Sequence, residues 1–176
     1  MDLDQFDEFV SRGSTRLLRT AYLLTGDRGD AEDLLQVTLV RTAGRWERAS
    51  EAPNAYAHRV LINLLHDRRR RLSRRVTERP LDETQDGVSS VADHAGAVAD
   101  RDAIMRAVKL LPPRQREVVV LRFFADLSVS ETAAAIGASQ GSVKTHTSRA
   151  LARLREVLAD DPQARDDQMT EVHGAD

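Results

Sequence analysis

The sequence predicts an all-α chain of two small helical domains joined by a flexible linker, and three observations carry that prediction. Apolar residues recur at steps of three and four in nearly every stretch, the pattern of helices with one buried face. No segment of strand length alternates apolar with polar residues. Periodicity is lost over about 24 residues, Val76 to Ala99, which are rich in Asp, Ser, Thr and Gly and include Pro80; that composition marks a linker. Such a segment reaches at most roughly 80 Å when extended and spans about 27 Å as a relaxed coil. It can hold two domains apart on one target or let them close on each other. The chain thus divides into a helical domain over residues 1–75, a linker over 76–99, a second helical domain over 100–159, and an acidic, frayed tail over 160–176 with Pro162 and Gly174.

In the first domain Leu3, Phe6, Val10, Leu17, Ala21 and Leu24 outline one helix, with Gly13 as an interruption and Thr25-Gly26 as its end. Asp27 or Asp30 can cap the next helix, whose apolar face is Ala31, Leu34, Leu35, Thr38, Leu39, Thr42 and Trp46. Its first turns carry Asp30, Glu32, Asp33 and Gln36, acids that suit the positive end of the helix dipole. A loop from Glu47 to Asn54, containing Pro53, precedes a third helix from about Ala55 to Leu72 with Tyr56, Val60, Leu61 and Leu64 as its inner stripe. The basic run HDRRRRLSRRVTER, His66 to Arg79, grows out of that helix. A charge run is ordinarily a solvated segment, but cations fixed on a helix suit a phosphate backbone, through charge and counterion release.

The second domain opens with Ile104, Met105, Val108 and Leu111, breaks at Pro112-Pro113, and continues with Val118, Leu121, Phe124 and Ala125. Ser128 and Glu131 then form an S-x-x-E capping box, in which hydroxyl and carboxylate satisfy two backbone donors at a helix start. The helix so begun, Val129 to Ile136, is closed by Gly137, and Ser139 caps a longer one running to about Leu158. A short helix, a glycine turn and a longer helix make a helix-turn-helix, whose second helix enters the DNA major groove. Val143, Thr147, Ala150, Leu151, Leu154 and Leu158 form its buried stripe. Lys144, Thr145, Ser148 and Arg149 turn outward, with Ser142 and His146 at the borders. Donor-rich side chains near a helix N-terminus can contact base edges and phosphates. An ordinary solvated face has the same composition, and the capped short helix upstream is what favours DNA.

Other classes are disfavoured. The chain has no cysteine, hence no disulfide framework or thiolate metal site. The five histidines, His58, His66, His94, His146 and His173, are scattered, without partners at metal-ligand spacing. There is no glycine-rich phosphate loop or nucleophile motif, so an enzyme is not expected, nor a metal or cofactor. No signal peptide or membrane-length apolar run is present, which points to a cytoplasmic protein without membrane insertion. The net charge of −2 excludes a uniformly basic coat, but the charge is unevenly placed.

The order of these motifs resembles the extracytoplasmic-function group of bacterial RNA polymerase sigma factors, within the sigma-70 family, and in particular its short actinobacterial-type members. DAEDLLQ at Asp30–Gln36 is similar to the family's core-polymerase-binding segment, and NAYAHRVLINLLHDRRRR at Asn54–Arg71 to its promoter −10 region. Leu111 to Arg155 resembles its fourth region. The resemblance implies that Asp30, Glu32, Asp33 and Gln36 dock on the clamp helices of the polymerase's largest subunit. It implies that the Glu47–Ala55 loop and Asn63 form a pocket for a flipped base of the −10 strand, with Tyr56, Arg59, Arg68, Arg69, Arg70 and Arg71 along the −10 DNA. Ser142, Lys144, Thr145, His146, Ser148 and Arg149 match positions that contact the −35 element. The implied partners are core RNA polymerase (clamp helices, and the flap of the second-largest subunit), promoter DNA and an anti-sigma factor. The sequence departs from the family where Tyr56-Ala57 precedes His58-Arg59, a place often held by Trp-Leu. The competing reading is a helix-turn-helix regulator of the response-regulator type, because VKTH at Val143–His146 also resembles those proteins; they carry an α/β domain in front, and no strand is expected here. A simple repressor or RNA-binding protein would explain the basic run but not the acidic segment.

Overall fold

The structure, a computed structural model, describes residues 3–78 and 97–159, with side chains over 3–74 and 103–159. Residues 79–96 of the expected linker and the acidic tail lie outside the described residues, while 76–78 and 97–99, also assigned to the linker, are helical. Those residues form helices α1 (Leu3–Thr25), α2 (Arg28–Ala43), α3 (Trp46–Ala49), α4 (Pro53–Glu78), α5 (Ala97–Lys109) and α6 (Pro113–Val119). A π turn (Val120–Phe124) follows, then α7 (Val129–Ile136) and α8 (Gln140–Ala159). No strand occurs among them, so the fold is all-α.

Local chemistry sets most boundaries. Helix α1 ends where Gly26 takes a left-handed φ of 80°. Asp27, in extended backbone, caps α2 by accepting from the Asp30 N–H at 2.8 Å, which assigns the cap to Asp27 rather than Asp30. Pro53 opens α4 two residues ahead of the expected start; proline suits a first helical position because its missing N–H would have no intrahelical partner. Trp46 does not extend the α2 face. It begins the separate helix α3 and packs on Phe6 and Phe9 of α1, with ring centroids 5.1 and 5.5 Å away.

Two further sequence expectations are corrected. Gly13 does not interrupt α1, which runs continuously past it against the ring of Phe9; packing of the amphipathic face outweighs the propensity penalty of about 1 kcal/mol. The inner stripe of α4 is also rotated. Ala57, His58, Leu61, Ile62 and Leu65 are buried, whereas Tyr56, Val60 and Leu64 are half-buried at its margin. The phase is set by His58, a polar residue that an apolar count passes over. Its Nδ1 lies 2.8 Å from the Asn54 carbonyl and its Nε2 3.3 Å from the Thr20 hydroxyl of α1. A carbonyl can only accept, so Nδ1 carries the proton and Nε2 accepts from Thr20.

The first core joins Leu17, Ala21 and Leu24 of α1 to Ala31 and Leu34 of α2 and to the α4 stripe. In the second domain the capping box is present as expected: Ser128 N–H donates to Glu131 at 2.7 Å and Glu131 N–H to the Ser128 hydroxyl at 3.1 Å. These bonds hold the Glu131 carboxyl below the usual carboxylate range. The expected helix ahead of Ser128 is α6 plus the π turn, and Val118 to Leu121 are all buried, not one face of them. A run apolar on every side needs neighbours on every side. The first domain supplies one of them: the π turn and α5 pack on α1, and α7 packs on α4. The two domains are therefore closed on each other.

Two glycines should respond oppositely to alanine. Gly13→Ala should stabilise the protein by about 0.5–1 kcal/mol, because its Cβ would meet Phe9 at an ordinary 3.4 Å. Gly137→Ala should destabilise it by roughly 1–2 kcal/mol, since φ is 66° there. Urea unfolding of both variants checks the pair; equal signs would contradict this account of the backbone.

Candidate polymerase and nucleic-acid interfaces

Helix α2 buries Ala31, Leu34, Thr38 and Thr42 and turns Asp33, Gln36, Val37, Val40 and Arg41 to solvent. Of the acids expected to dock, Asp33 and Gln36 lie on this open face. Glu32 is paired with Arg28 at 2.9 Å, and Asp30 is bonded to Arg68 of α4. The sequence reading missed Val37 and Val40, which are 42% and 72% exposed. The signal was available: α2 carries apolar residues on two faces, and a small helix has a core for only one.

On α4, Tyr56, Arg59, Asn63 and Arg70 follow at helical spacing along one side, with Arg59, Asn63 and Arg70 exposed. The loop before them is flanked by two cavities. One, of about 390 Å³, lies toward α1 and is lined by Phe9, Arg12, Arg16, Trp46 and Asn54. The other, of about 200 Å³, is lined by Arg48, Tyr56 and Arg59 on one side and by Glu131, Ala134 and Ala135 of α7 on the other. Asn63 lines neither. The four consecutive arginines diverge. Arg68 reaches Asp30, Arg70 returns to Asp67, Arg69 bonds Glu117 of α6 at 2.6 Å, and Arg71 is exposed.

On α8, Lys144, Thr145, Ser148 and Arg149 are exposed as expected, while Val143 and Ala150 are buried. The Ser139 hydroxyl accepts from the Ser142 N–H at 3.1 Å, and the Ser142 and Ser139 hydroxyls bond at 2.9 Å, so Ser142 belongs to the cap. The Thr145 hydroxyl donates to the Gly141 carbonyl at 3.0 Å, which leaves its methyl outward. His146 is half-buried, with a buried Nδ1 that finds no partner. Lys144 and Ser148 share a groove of about 350 Å³ with Arg122 and Arg155, two cations that the sequence reading left out. No trio of His, Asp or Glu among the described residues could hold a metal, and no described helix is long and apolar enough to cross a membrane.

Residues 9–75 match the family model for sigma-70 region 2, and residues 101–154 match that for sigma-70 region 4. The chain is 45% identical over 156 residues to an RNA polymerase sigma-E factor of Streptomyces avermitilis, covering 88% of this chain and 85% of that one. It is 35% identical over 156 residues to the ECF RNA polymerase sigma factor SigM of Mycobacterium tuberculosis, covering 87% and 76%. It belongs to the extracytoplasmic-function group of the sigma-70 family. The sigma factor RpoE of Bartonella quintana, solved in complex with the anti-sigma factor NepR, superposes with a TM-score of 0.72 at 28% identity, over 89% of this chain and 98% of that one. CnrH, solved with the cytosolic domain of CnrY, shares the fold with a TM-score of 0.59 at 24% identity. As a sigma factor the chain binds RNA polymerase and serves promoter recognition; the polymerase carries the catalysis. The Thr20–His58 bond described above ties α4 to α1.

Burial, more than the opposing bond to Asn54, lowers the pKa of His58 from its ordinary value, with Arg16 adding to the lowering. A folded pKa below the unfolded one means that the unfolded chain binds the extra proton first. Stability should therefore be full above about pH 6.5 and decline as pH falls from there toward the folded pKa. His58→Gln should flatten that decline. Urea unfolding at pH 7.5 and 5.5 measures it; an unchanged slope in the variant would remove His58 from the account.

Proposed function

We propose that this sigma factor docks on the clamp helices of the largest polymerase subunit through α2, reads the −35 element with α8, and captures the −10 strand along the α4 face. The observation that supports this best is that one chain exposes three separate faces, each chemically suited to one of these tasks. The α2 face combines Asp33 and Gln36 with Val37 and Val40, a polar rim around an apolar contact as in other protein interfaces. Tyr56, Arg59, Asn63, Arg70 and Arg71 offer a stacking ring, an amide and cations to a single strand. On α8, Lys144, Thr145, Ser148 and Arg149 face the bases, and Arg122 and Arg155 hold the flanking phosphates. His146 and Ser142 support the helix start from its borders. The second domain would meet the flap of the second-largest subunit. The division at residues 1–75 and 100–159 belongs to this reading, as does work in the cytoplasm, where the polymerase is. An anti-sigma factor is part of it too, because the RpoE structure that this chain resembles is a complex with one. The response-regulator reading finds no support in a first half made of helices.

In vitro transcription with core polymerase on genomic promoter fragments tests the whole reading; no transcript above the core-only background would overturn it. Val40→Asp should weaken holoenzyme assembly on the order of tenfold, the loss of about 1.4 kcal/mol of apolar contact, with native helicity by circular dichroism. Equal co-purification with core enzyme would exclude the α2 face.

On −35 variants, Arg155→Ala in holoenzyme should lower affinity for all sequences alike and reduce the salt slope by about one. Lys144→Ala should instead lose roughly 1–3 kcal/mol on the preferred sequence and little elsewhere. A −35 library at two salt concentrations separates the two outcomes, and matching profiles would invalidate this assignment of phosphate and base contacts.

A further inference from the structure

The cations of the two domains are neutralised differently. In the first, Arg28, Arg68, Arg69 and Arg70 each reach a carboxylate. On α8, Lys144, Arg149, Arg153 and Arg155 are exposed, and none is ion-paired among the described residues. Lys144, Ser148, Leu151 and Arg155 follow at steps of four, three and four, so they share one side of the helix. With Arg122 and Val129 they line the groove of about 350 Å³. No carboxylate lines it, and Glu156, the one acid of α8, is not among its walls. Arg122 donates to the Leu127 carbonyl, a neutral partner. Three cations around one groove repel one another and attract an anion.

The chain carries such an anion. Residues 160–176, outside the described residues, hold six acids, and Arg165 is their sole cation. Without that segment the net charge of −2 would turn positive. Its reach fits the groove. Helix α8 ends at Ala159, four residues beyond Arg155. Lys144 lies about 22 Å back along the axis, a distance that about seven extended residues cover. Pro162 has no N–H with which to carry the helix ladder onward.

We propose that the acidic segment 160–176 turns back along α8 and occupies this groove as a phosphate mimic, with Asp160 and Asp161 at Arg155 and with Asp166 and Asp167 at Lys144 and Arg122. This rests on the assignment of the groove to promoter phosphates made above. Attachment to the end of α8 gives the carboxylates a millimolar effective concentration. A duplex must then displace them, which imposes the same penalty on every sequence. Base contacts of a −35 element offset that penalty. Random duplex, held by its phosphates alone, has nothing to offset it with.

The absence of native cysteine allows a single label on the full chain. A nitroxide on Met169→Cys should broaden the amide resonances of residues 144–155 and spare those of α2. The broadening should fade at 1 M salt, where the screening length is about 3 Å. Replacing Asp160, Asp161, Asp166 and Asp167 together by Asn in the labelled chain should abolish it. The same four substitutions should tighten binding of a fluorescein-labelled random-sequence duplex to the free protein on the order of tenfold, as expected when a groove filled about nine-tenths of the time is vacated. An absence of α8 broadening in the parent would overturn the proposal. So would tighter duplex binding with the broadening retained, which is bulk charge alone, or lost broadening with unchanged duplex binding. The −35 assignment is read separately, by Lys144→Ala in holoenzyme across the −35 library.

Discussion

Consecutive arginines on one helix repel one another, and much of this structure follows from where their counter-charges come from. Side chains at Arg68, Arg69, Arg70 and Arg71 leave the α4 axis about 100° apart, so each faces a different neighbour. Arg68 meets Asp30 on the helix proposed to dock on polymerase, Arg70 turns back to Asp67 on its own helix, and Arg69 crosses to Glu117 in the second domain. Bonds to Arg70 hold the Asp67 carboxyl below its ordinary value. A basic run that reads in sequence as one DNA-facing strip is in space a hub joining α2, α4 and α6. The overall charge of −2 gives no hint of this, because sequence-distant acids neutralise these cations locally.

Features set by short-range chemistry were legible in the sequence. The Ser128–Glu131 box, the Gly137 stop and the outward set on α8 depend on residues within one or two turns, and the structure has them where they were expected. Features set by long-range packing were not. The buried stripe of α4 was misphased because its anchor is a histidine bonded to Thr20, 38 residues away. The burial of Glu117 depends on partners 51 and 48 residues distant, and neither is visible from the pattern around an ordinary acid on an amphipathic helix. Val37 and Val40 were passed over for a different reason. Acids drew attention to the first turns of α2, while the apolar surplus on its solvent side cancelled in the helical periodicity.

The two surfaces proposed to face the promoter differ in their packing. Helix α8 packs on α5, α6 and α7 of its own domain and keeps Lys144, Thr145, Ser148 and Arg149 exposed. The α4 face instead meets α7. The same short helix that braces α8 thus also packs on α4, so α7 joins the two domains. Separation of the domains leaves the packing of α8 on α7 intact while freeing α4.

The chemistry of the seam is suited to a reversible contact. A pair sealed inside one domain cannot be broken without stranding a buried charge, a loss of about 3–5 kcal/mol. Glu117 lies instead between domains, and opening gives its oxygens water in exchange for Arg69 and His66. The desolvation reversed on opening offsets much of the attraction lost, so the balance between closed and open is narrow. Moving such a balance from ten to one closed to ten to one open requires only about 100-fold preferential binding of the open form, roughly 2.7 kcal/mol. Polymerase, proposed to engage both domains at separate places, would supply that difference. Its engagement of α2 also competes for Asp30, the counter-charge of Arg68. Docking would then release Arg68 from within the first domain, on the helix proposed to meet the DNA.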